Sequence, residues 1–344
     1  MSDSPLRPPA DPLRPPGHLA ERVTVLSGGV GGARFLQGLL RLVERTGANT
    51  SVTVIANTAD DVWVHDLKVC PDLDTVMYTL GDGIDTERGW GRKEETWHAR
   101  DELAAYGVEP TWFGLGDRDI ATHLVRTQML EAGYPLSDVT AALCRRWRPG
   151  VELIPMTDDR VETHVVIDDP GTGERRAVHF QEYWIRHRAE VPAHAVVPIG
   201  IDEATPGPGV LDAISESDLI IVPPSNPVVS VGTILGVPGV RDALTSARAP
   251  VVGVSGIIGE DHVHGMARQL LGVIGVEVSA AGVAEHYGAR SAGGLLDGWL
   301  VDSVDDHLVE RVRSAGIRCS AVPLWMTDPD ATADMVAAAL DLVR

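Results

Sequence analysis

Cysteine is scarce. Cys70, Cys144 and Cys319 are the only three in 344 residues, and they lie far apart. They form no CxxC pair, so the sequence carries no disulfide framework, and a reducing cytoplasm is the expected location. The histidines are scattered without metal-ligand spacing, which speaks against zinc. No apolar run approaches the ~18 residues of a membrane span, so no membrane partner is expected. The N-terminal segment lacks an apolar core, so no signal peptide is expected either. Gly-x-Ser-x-Gly is missing, which removes the nucleophile elbow of the α/β-hydrolases. Positive charge is also short. Lys and Arg total 29 against 49 Asp and Glu, a net charge of −20. Nucleic-acid binding runs on phosphate neutralisation, so polyanions are poor partners. A small anionic ligand stays open if a local site is built from backbone N–H groups, a few arginines or a metal ion.

What is present reads as globular protein. Hydrophobic residues make up 44%, enough for a sizeable core. Residues 1–20 contain an echo, Pro5-Leu6-Arg7-Pro8-Pro9 and Pro12-Leu13-Arg14-Pro15-Pro16, that reads as a disordered or polyproline-like tail. The remainder, 21–344, reads as a single α/β domain. A strand at 23–26, a glycine loop at 28–32, a helix at 33–43 and a strand at 51–55 make a βαβ unit with parallel strands. A mainly helical insertion is expected at about 76–150, with helices over 101–106, 120–132 and from 135 through 147. Strands follow at 151–154, 163–167 and 177–184, the last two joined by the hairpin turn Asp169-Pro170-Gly171-Thr172-Gly173. Further strands are expected at 219–222, 250–254, 275–278, 298–302 and 318–323, then a helix over 330–343. The fold class is a doubly wound, mostly parallel, Rossmann-like sheet.

The loop reads Gly28-Gly29-Val30-Gly31-Gly32-Ala33-Arg34. A glycine loop between strand and helix aims free N–H groups and the helix dipole at one place, and Arg34 adds a forked charge. It is not the dinucleotide fingerprint, because Arg34 stands where the third spaced glycine belongs. It is not a P-loop, because no Gly-Lys-Ser/Thr follows. A tight packing turn is the plainer alternative. Downstream, Asn57-Thr58-Ala59-Asp60-Asp61 and Asp72-Leu73-Asp74-Thr75 gather four carboxylates near strand ends, which is costly without a cation. Magnesium takes one or two carboxylates and lets phosphates complete its shell, so metal-assisted phosphoryl chemistry is indicated. N-capping by Asp60 and Asp72 is the alternative. Asp117 and Arg118, after Gly114-Leu115-Gly116, are placed to reach a polar substrate or to cap a helix. Ser225 and Asn226, in Pro223-Pro224-Ser225-Asn226-Pro227, follow a strand where open α/β sheets bind ligands. His123 is as readily structural as catalytic. Trp90, Trp97 and Trp112 are candidates to wall a flat heterocycle or to pack a core.

Taken together, the segment from Val25 to Arg34, the Asn57–Asp61 and Pro71-Asp72-Leu73-Asp74-Thr75 blocks, Gly116-Asp117-Arg118-Asp119, His179-Phe180-Gln181 and Pro224-Ser225-Asn226-Pro227 resemble the 2-phospho-L-lactate transferase family, in the same order, from about residue 23 to the C-terminus. The resemblance implies transfer of an enolpyruvyl-phosphate or 2-phospho-L-lactyl group from a guanosine diphosphate-activated donor to the deazaflavin Fo, releasing GMP and forming (dehydro) coenzyme F-420-0. The glycine block resembles the actinobacterial members, which favours enolpyruvyl. By the same resemblance Gly29, Gly31, Gly32 and Arg34 hold the diphosphate, Asp61 and Asp74 carry catalysis and bind Mg2+, and Asp74 or a neighbour helps deprotonate the hydroxyl. Asn57, Asp72, Thr75, Asp117, Arg118, Ser225 and Asn226 complete the substrate site, and a homodimer is expected. The same superfamily holds regulators that bind nucleotide sugars without catalysis. A regulator would keep the glycine loop but need no paired acidic block. A dehydrogenase is disfavoured by Arg34.

Overall fold

A computed structural model describes residues 19–259, 261–262 and 266–344. The proline echo lies outside them. Leu19 and Ala20, assigned by sequence to the tail, are instead buried in the core, where apolar side chains of the first strand's lead-in find a place.

In chain order the strands are β1 (Arg22–Ser27), β2 (Ser51–Ala56), β3 (Val62–Val64), β4 (Leu67–Val69), β5 (Glu152–Pro155), β6 (Glu162–Asp168), β7 (Arg175–His179), β8 (Ala193–Ile199), β9 (Leu219–Val222), β10 (Val251–Val254), β11 (Ile257–Ile258), β12 (Asp261–His262), β13 (Gly298–Val301) and β14 (Arg318–Ala321). Seven of them form one sheet in the order β14-β13-β10-β9-β1-β2-β5, and every neighbouring pair is parallel. The chain builds outward from β1 through β2 to β5, returns, and builds outward again from β9. The topological switch therefore falls between β1 and β9, where Val23 pairs with Leu219.

The strand sequences explain the two layers. Being covered on both faces, β9, β10 and β13 carry only apolar residues and glycine, and β1 buries all of its residues but Arg22. Leu26, Ile55, Ile220, Val222 and Trp299 pack to one side, and Val23, Val25, Val54, Ile221 and Leu300 to the other. The second side is closed by α1 (Gly29–Thr46) against the C-terminal helix Pro329–Val343. They meet at Gly38, where a Cβ would fall 2.3 Å from Thr332 Cγ2.

Between β2 and β5 lie the hairpin β3–β4 and the helices α2 (Pro71–Leu80), α3 (His98–Ala105), α4 (Asp117–Glu131) and α5 (Leu136–Trp147). The expected hairpin is β6–β7, and with β8 it forms a separate antiparallel sheet. Two expected strands differ. The stretch 177–184 leaves the ladder at His179, because Gln181 N–H turns back to His179 Nδ1 and a π turn (Glu182–Arg186) buries Tyr183. The stretch 275–278 is a turn: Gly275 takes φ +72°, and Ser279 already caps the next helix. No helix among the described residues is long and apolar enough to cross a membrane.

Candidate active site

The site is assembled at the switch point. β1 ends at Ser27, and Gly28 is extended before α1 begins at Gly29, whose φ of +65° suits glycine. The loop after β9 packs directly onto it. Gly28 N–H donates to Ser225 Oγ (3.3 Å), and Ser225 Oγ–H donates back to Gly28 O (2.9 Å). A Cβ on Gly31 would lie 2.3 Å from the Pro224 carbonyl oxygen, and one on Gly32 would lie 2.2 Å from Ser27 Oγ. The glycines are therefore required by the approach of two loops as well as by any ligand. Gly29 N–H is already engaged by Asp72 Oδ1 at 2.8 Å. The expected phosphate donor at Gly29 is thus spent, which leaves the opening N–H groups of Val30, Gly31 and Gly32, without partners inside a helix, to face an anion. Arg34 is half-buried and has no polar partner among the described residues.

Asn57 and Asp72 act as a brace. Asp72 Oδ2 accepts from Asn57 Nδ2 (2.9 Å), while Asn57 Oδ1 accepts from Ala59 N–H (3.0 Å) and Thr233 Oγ1–H (2.7 Å). One chain of bonds thus ties α1, β2, α2 and the helix after β9 together. Burial lifts the Asp72 carboxyl to about 6, even though Asn57 and Gly29 donate to it. Burial also pushes Asp60 well up, and the nearby Asp72 adds to the effect. Neither expected cap forms: Asp60 precedes a strand rather than a helix, and Asp72 gives its carboxylate to Gly29 and Asn57.

Asp61 and Asp74 each meet an internal cation. Lys68 Nζ, on β4, stands 3.3 Å from Asp61 Oδ2. Burial raises the Asp61 carboxyl, with Lys68 opposing. Asp74 Oδ1 is paired with Arg126, a guanidinium only 1% exposed, which also reaches Lys68 O (3.2 Å) and His123 Nδ1 (3.1 Å). His123 Nε2 lies 3.5 Å from Asp119, and Asp119 accepts from Tyr78 OH. Thus part of the acidic charge is offset by the chain itself. Four carboxylate oxygens still lack hydrogen bonds among the described residues: Asp60 Oδ1, both of Asp61 and Asp74 Oδ2. Buried oxygen donors that lack hydrogen bonds fit a hard divalent cation, although Lys68 already faces one Asp61 oxygen. Among the described residues no three acidic, histidine or cysteine side chains converge enough to hold one unaided.

Other expectations separate here. Asp117 spends its carboxylate on Thr96 Oγ1–H, His98 N–H (3.0 Å) and Ala99 N–H (2.9 Å), and so caps α3. Arg118 is exposed and pairs with Glu94 at 2.9 Å. Both contacts have one cause: the segment leading into α3 folds back over the start of α4 and pairs with these two side chains. Thr75 is buried on α2 with no side-chain hydrogen bond to a described residue. Trp90 and Trp97 do pair, at 6.3 Å between ring centroids with Arg88 over both, but Trp112 packs on Phe113 instead.

Sequence reasoning missed Lys68, Arg126 and Asp119 and left His123 undecided. A signal existed: Asp119, His123 and Arg126 recur at i, i+4 and i+7 on α4, a charged stripe on a buried face. The β6–β7 hairpin holds the acidic loop from behind, with His179 Nε2 3.2 Å from Asp61 O and Gln181 Nε2–H donating to Asp60 O at 3.2 Å.

A family model described as 2-phospho-L-lactate transferase CofD matches residues 23–332. A phosphoenolpyruvate transferase of Streptomyces coelicolor is 64% identical over 323 residues, covering 94% of this chain and 98% of that protein. One of Streptomyces avermitilis is 65% identical with the same coverage. One of Mycolicibacterium smegmatis is 57% identical over 326 residues, covering 93% of this chain and 98% of its own length. A solved structure of a Bacillus halodurans member of the UPF0052 family superposes with TM-score 0.59 at 17% identity, covering 93% of this chain and 99% of that one, a likeness of fold alone.

Proposed function

The chain belongs to the 2-phospho-L-lactate transferase family, and from that premise we propose that it moves an enolpyruvyl-phosphate group from a guanosine diphosphate-activated donor to the deazaflavin Fo. The enolpyruvyl unit, rather than lactyl, is supported by relatives named phosphoenolpyruvate transferase at 57–65% identity. In the reaction the terminal ribityl hydroxyl of Fo attacks the phosphorus that carries the three-carbon unit. A new P–O bond forms, the bond to the GMP phosphate breaks, and the hydroxyl proton leaves to a base. The product is dehydro coenzyme F-420-0.

The observation that carries this reading is the bond between Asp72 and Gly29, which joins the acidic block to the glycine loop. Through Asp72 a phosphate holder on the loop would lie beside the acidic block that carries Asp74. Val30, Gly31 and Gly32 present N–H groups to the diphosphate at the positive end of α1. Arg34, uncommitted elsewhere among the described residues, adds charge. Asp61 and Asp74 would hold Mg2+, which supplies charge neutralisation on the phosphoryl oxygens. Arg126 fixes Asp74 through Oδ1 and leaves Oδ2 open. Phosphoryl transfer needs mostly position and electrostatics, so this small set suffices. A cytoplasmic homodimer completes the proposal.

The test is mass spectrometry of the product from Fo, Mg2+ and each donor. The enolpyruvyl donor is expected to give a product two hydrogens lighter than the lactyl one, and to be used preferentially. Asp74→Ala is expected to abolish transfer. No product from either donor, or full activity of Asp74→Ala, would overturn the respective assignment.

A further inference from the structure

Two helices beside the acidic block share a run of largely buried polar groups that the transfer chemistry does not use directly. On α4, Asp119, His123 and Arg126 recur at one-turn spacing. On α2, Asp74 and Tyr78 also stand one turn apart. The helices meet in two rungs that run in opposite order along the chain: Arg126 pairs with Asp74, and Tyr78 OH donates to Asp119 Oδ1. His123 lies between the rungs and is 1% exposed. Its Nδ1 is 3.1 Å from Arg126 Nη1, and its Nε2 is 3.5 Å from Asp119 Oδ2. The Nε2 atom makes no hydrogen bond among the described residues, so the firm hold of the ring is on Arg126. Asp74 Oδ2 is 3.8 Å from Nδ1, too far for a hydrogen bond.

The geometry of the fork gives this contact a direction. A guanidinium only donates, so His123 Nδ1 is the acceptor. Arg126 Nη1 also reaches Lys68 O at 3.2 Å, while Nη2 serves Asp74 Oδ1. The guanidinium is planar and rigid, so anchoring Nη1 at two acceptors fixes where Nη2 points. Asp74 is thereby held by Oδ1, and Oδ2 is left without a hydrogen bond. Packing alone does not account for a histidine here. An apolar side chain would fill the space without leaving a buried nitrogen unpaired, which is costly. Groups that orient a metal ligand from behind typically change metal affinity by about 10–100-fold.

We propose that His123 is a positioning residue for Asp74: acting through Arg126, it holds Asp74 Oδ2 open toward a divalent ion. The inference rests on the reading of Asp74 as a metal ligand. The experiment is Mn2+ titration of the full chain, read by electron paramagnetic resonance, beside urea denaturation, in wild type, His123→Asn and His123→Leu. Asparagine keeps a short side chain with an acceptor oxygen for Arg126, and leucine fills the space without one. Both lose the ring, and both are expected to lose stability. Mn2+ affinity is expected to separate them: within about threefold of wild type in His123→Asn, and weaker by about tenfold or more in His123→Leu. If His123→Leu does not fold, His123→Met takes its place, since it also lacks a nitrogen or oxygen acceptor and fills gaps more adaptably. Equal Mn2+ affinity in the asparagine and apolar variants, or no loss in the apolar one, would overturn the positioning role while leaving the metal reading intact. A wild type that binds no Mn2+ would remove the metal reading, and this role with it.

Discussion

Replacing Arg126 by Met would test what holds the acidic site in place. The guanidinium is 1% exposed and serves Asp74, the Lys68 carbonyl and the His123 ring at once. Without it, Asp74 keeps a buried charge whose second oxygen already lacks a hydrogen bond. Removing one member of a buried ion pair costs about 3–5 kcal/mol, mostly through the abandoned charge. The Lys68 carbonyl loses a donor as well, about 1 kcal/mol more, and relaxation around the smaller Met returns part of the total. A net loss of about 4 kcal/mol is expected by urea denaturation. Asp74→Asn in the same chain removes the stranded charge. The double variant is therefore expected to be about 2–3 kcal/mol more stable than the two single losses summed. Arg126→Lys keeps charge without the fork and falls between. A loss under about 1 kcal/mol in Arg126→Met, or single costs that add within about 0.5 kcal/mol, would refute the buried pair as the anchor of Asp74.

Three further outcomes are expected. Gly31→Ala drives a methyl into the Pro224 carbonyl, so the two loops must part; about 1–3 kcal/mol of stability and most diphosphate affinity are expected to go, and an unchanged titration would count against the loop contact. Lys68→Met removes the cation beside Asp61; Mn2+ affinity, read by electron paramagnetic resonance, is expected to rise about fivefold if Asp61 is a ligand, because a competitor for its charge is gone, and unchanged or weaker binding would argue against that ligand. Asp117→Ala is expected to lower the melting temperature but leave GDP binding intact. The Asp117 carboxyl is held below its usual range, first by the Thr96 hydroxyl and then by the Ala99 and His98 N–H groups. A depressed folded value stabilises above the unfolded one, so the melting difference should persist at neutral pH and shrink as pH falls below about 4. A difference independent of pH would deny the charged cap.

The sheet was legible because its strands are short β-branched runs at βαβ spacing, and β1, β2, β9, β10, β13 and β14 stand where that pattern puts them. The hairpin β3–β4 was not. Its two-residue turn uses His65 and Asp66 at φ 51° and 60°, where the recognisable sequence would carry Asn-Gly. That gap hid Lys68, since nothing local in the sequence says that β4 returns a lysine to Asp61. Val276 and Val278 misled in the opposite sense: they pack on the core from a turn, and burial alone imitates a strand. The glycine loop was readable as a tight turn from β1 into α1. Its engagement of Gly29 by Asp72 was not, because that contact spans 43 positions and depends on where α2 begins.

The charge count at the site bears on the metal. Asp60, Asp61, Asp72 and Asp74 would contribute four negative charges if all were ionised. Lys68 and Arg126 return two positive ones, which leaves two negative charges in a nearly water-free place. Without a further cation, part of that remainder is best avoided by protonation, and the raised carboxyls of Asp60 and Asp72 express this. One divalent ion, as proposed above, would match the remainder and would coordinate oxygens of Asp60, Asp61 and Asp74 that lack hydrogen bonds. Lys68 and Arg126 reduce the deficit of these four carboxylates from four charges to two, and Arg126 does so while aiming Asp74. The chain itself thus supplies half of the neutralisation of these four groups, and the proposed ion would supply the other half.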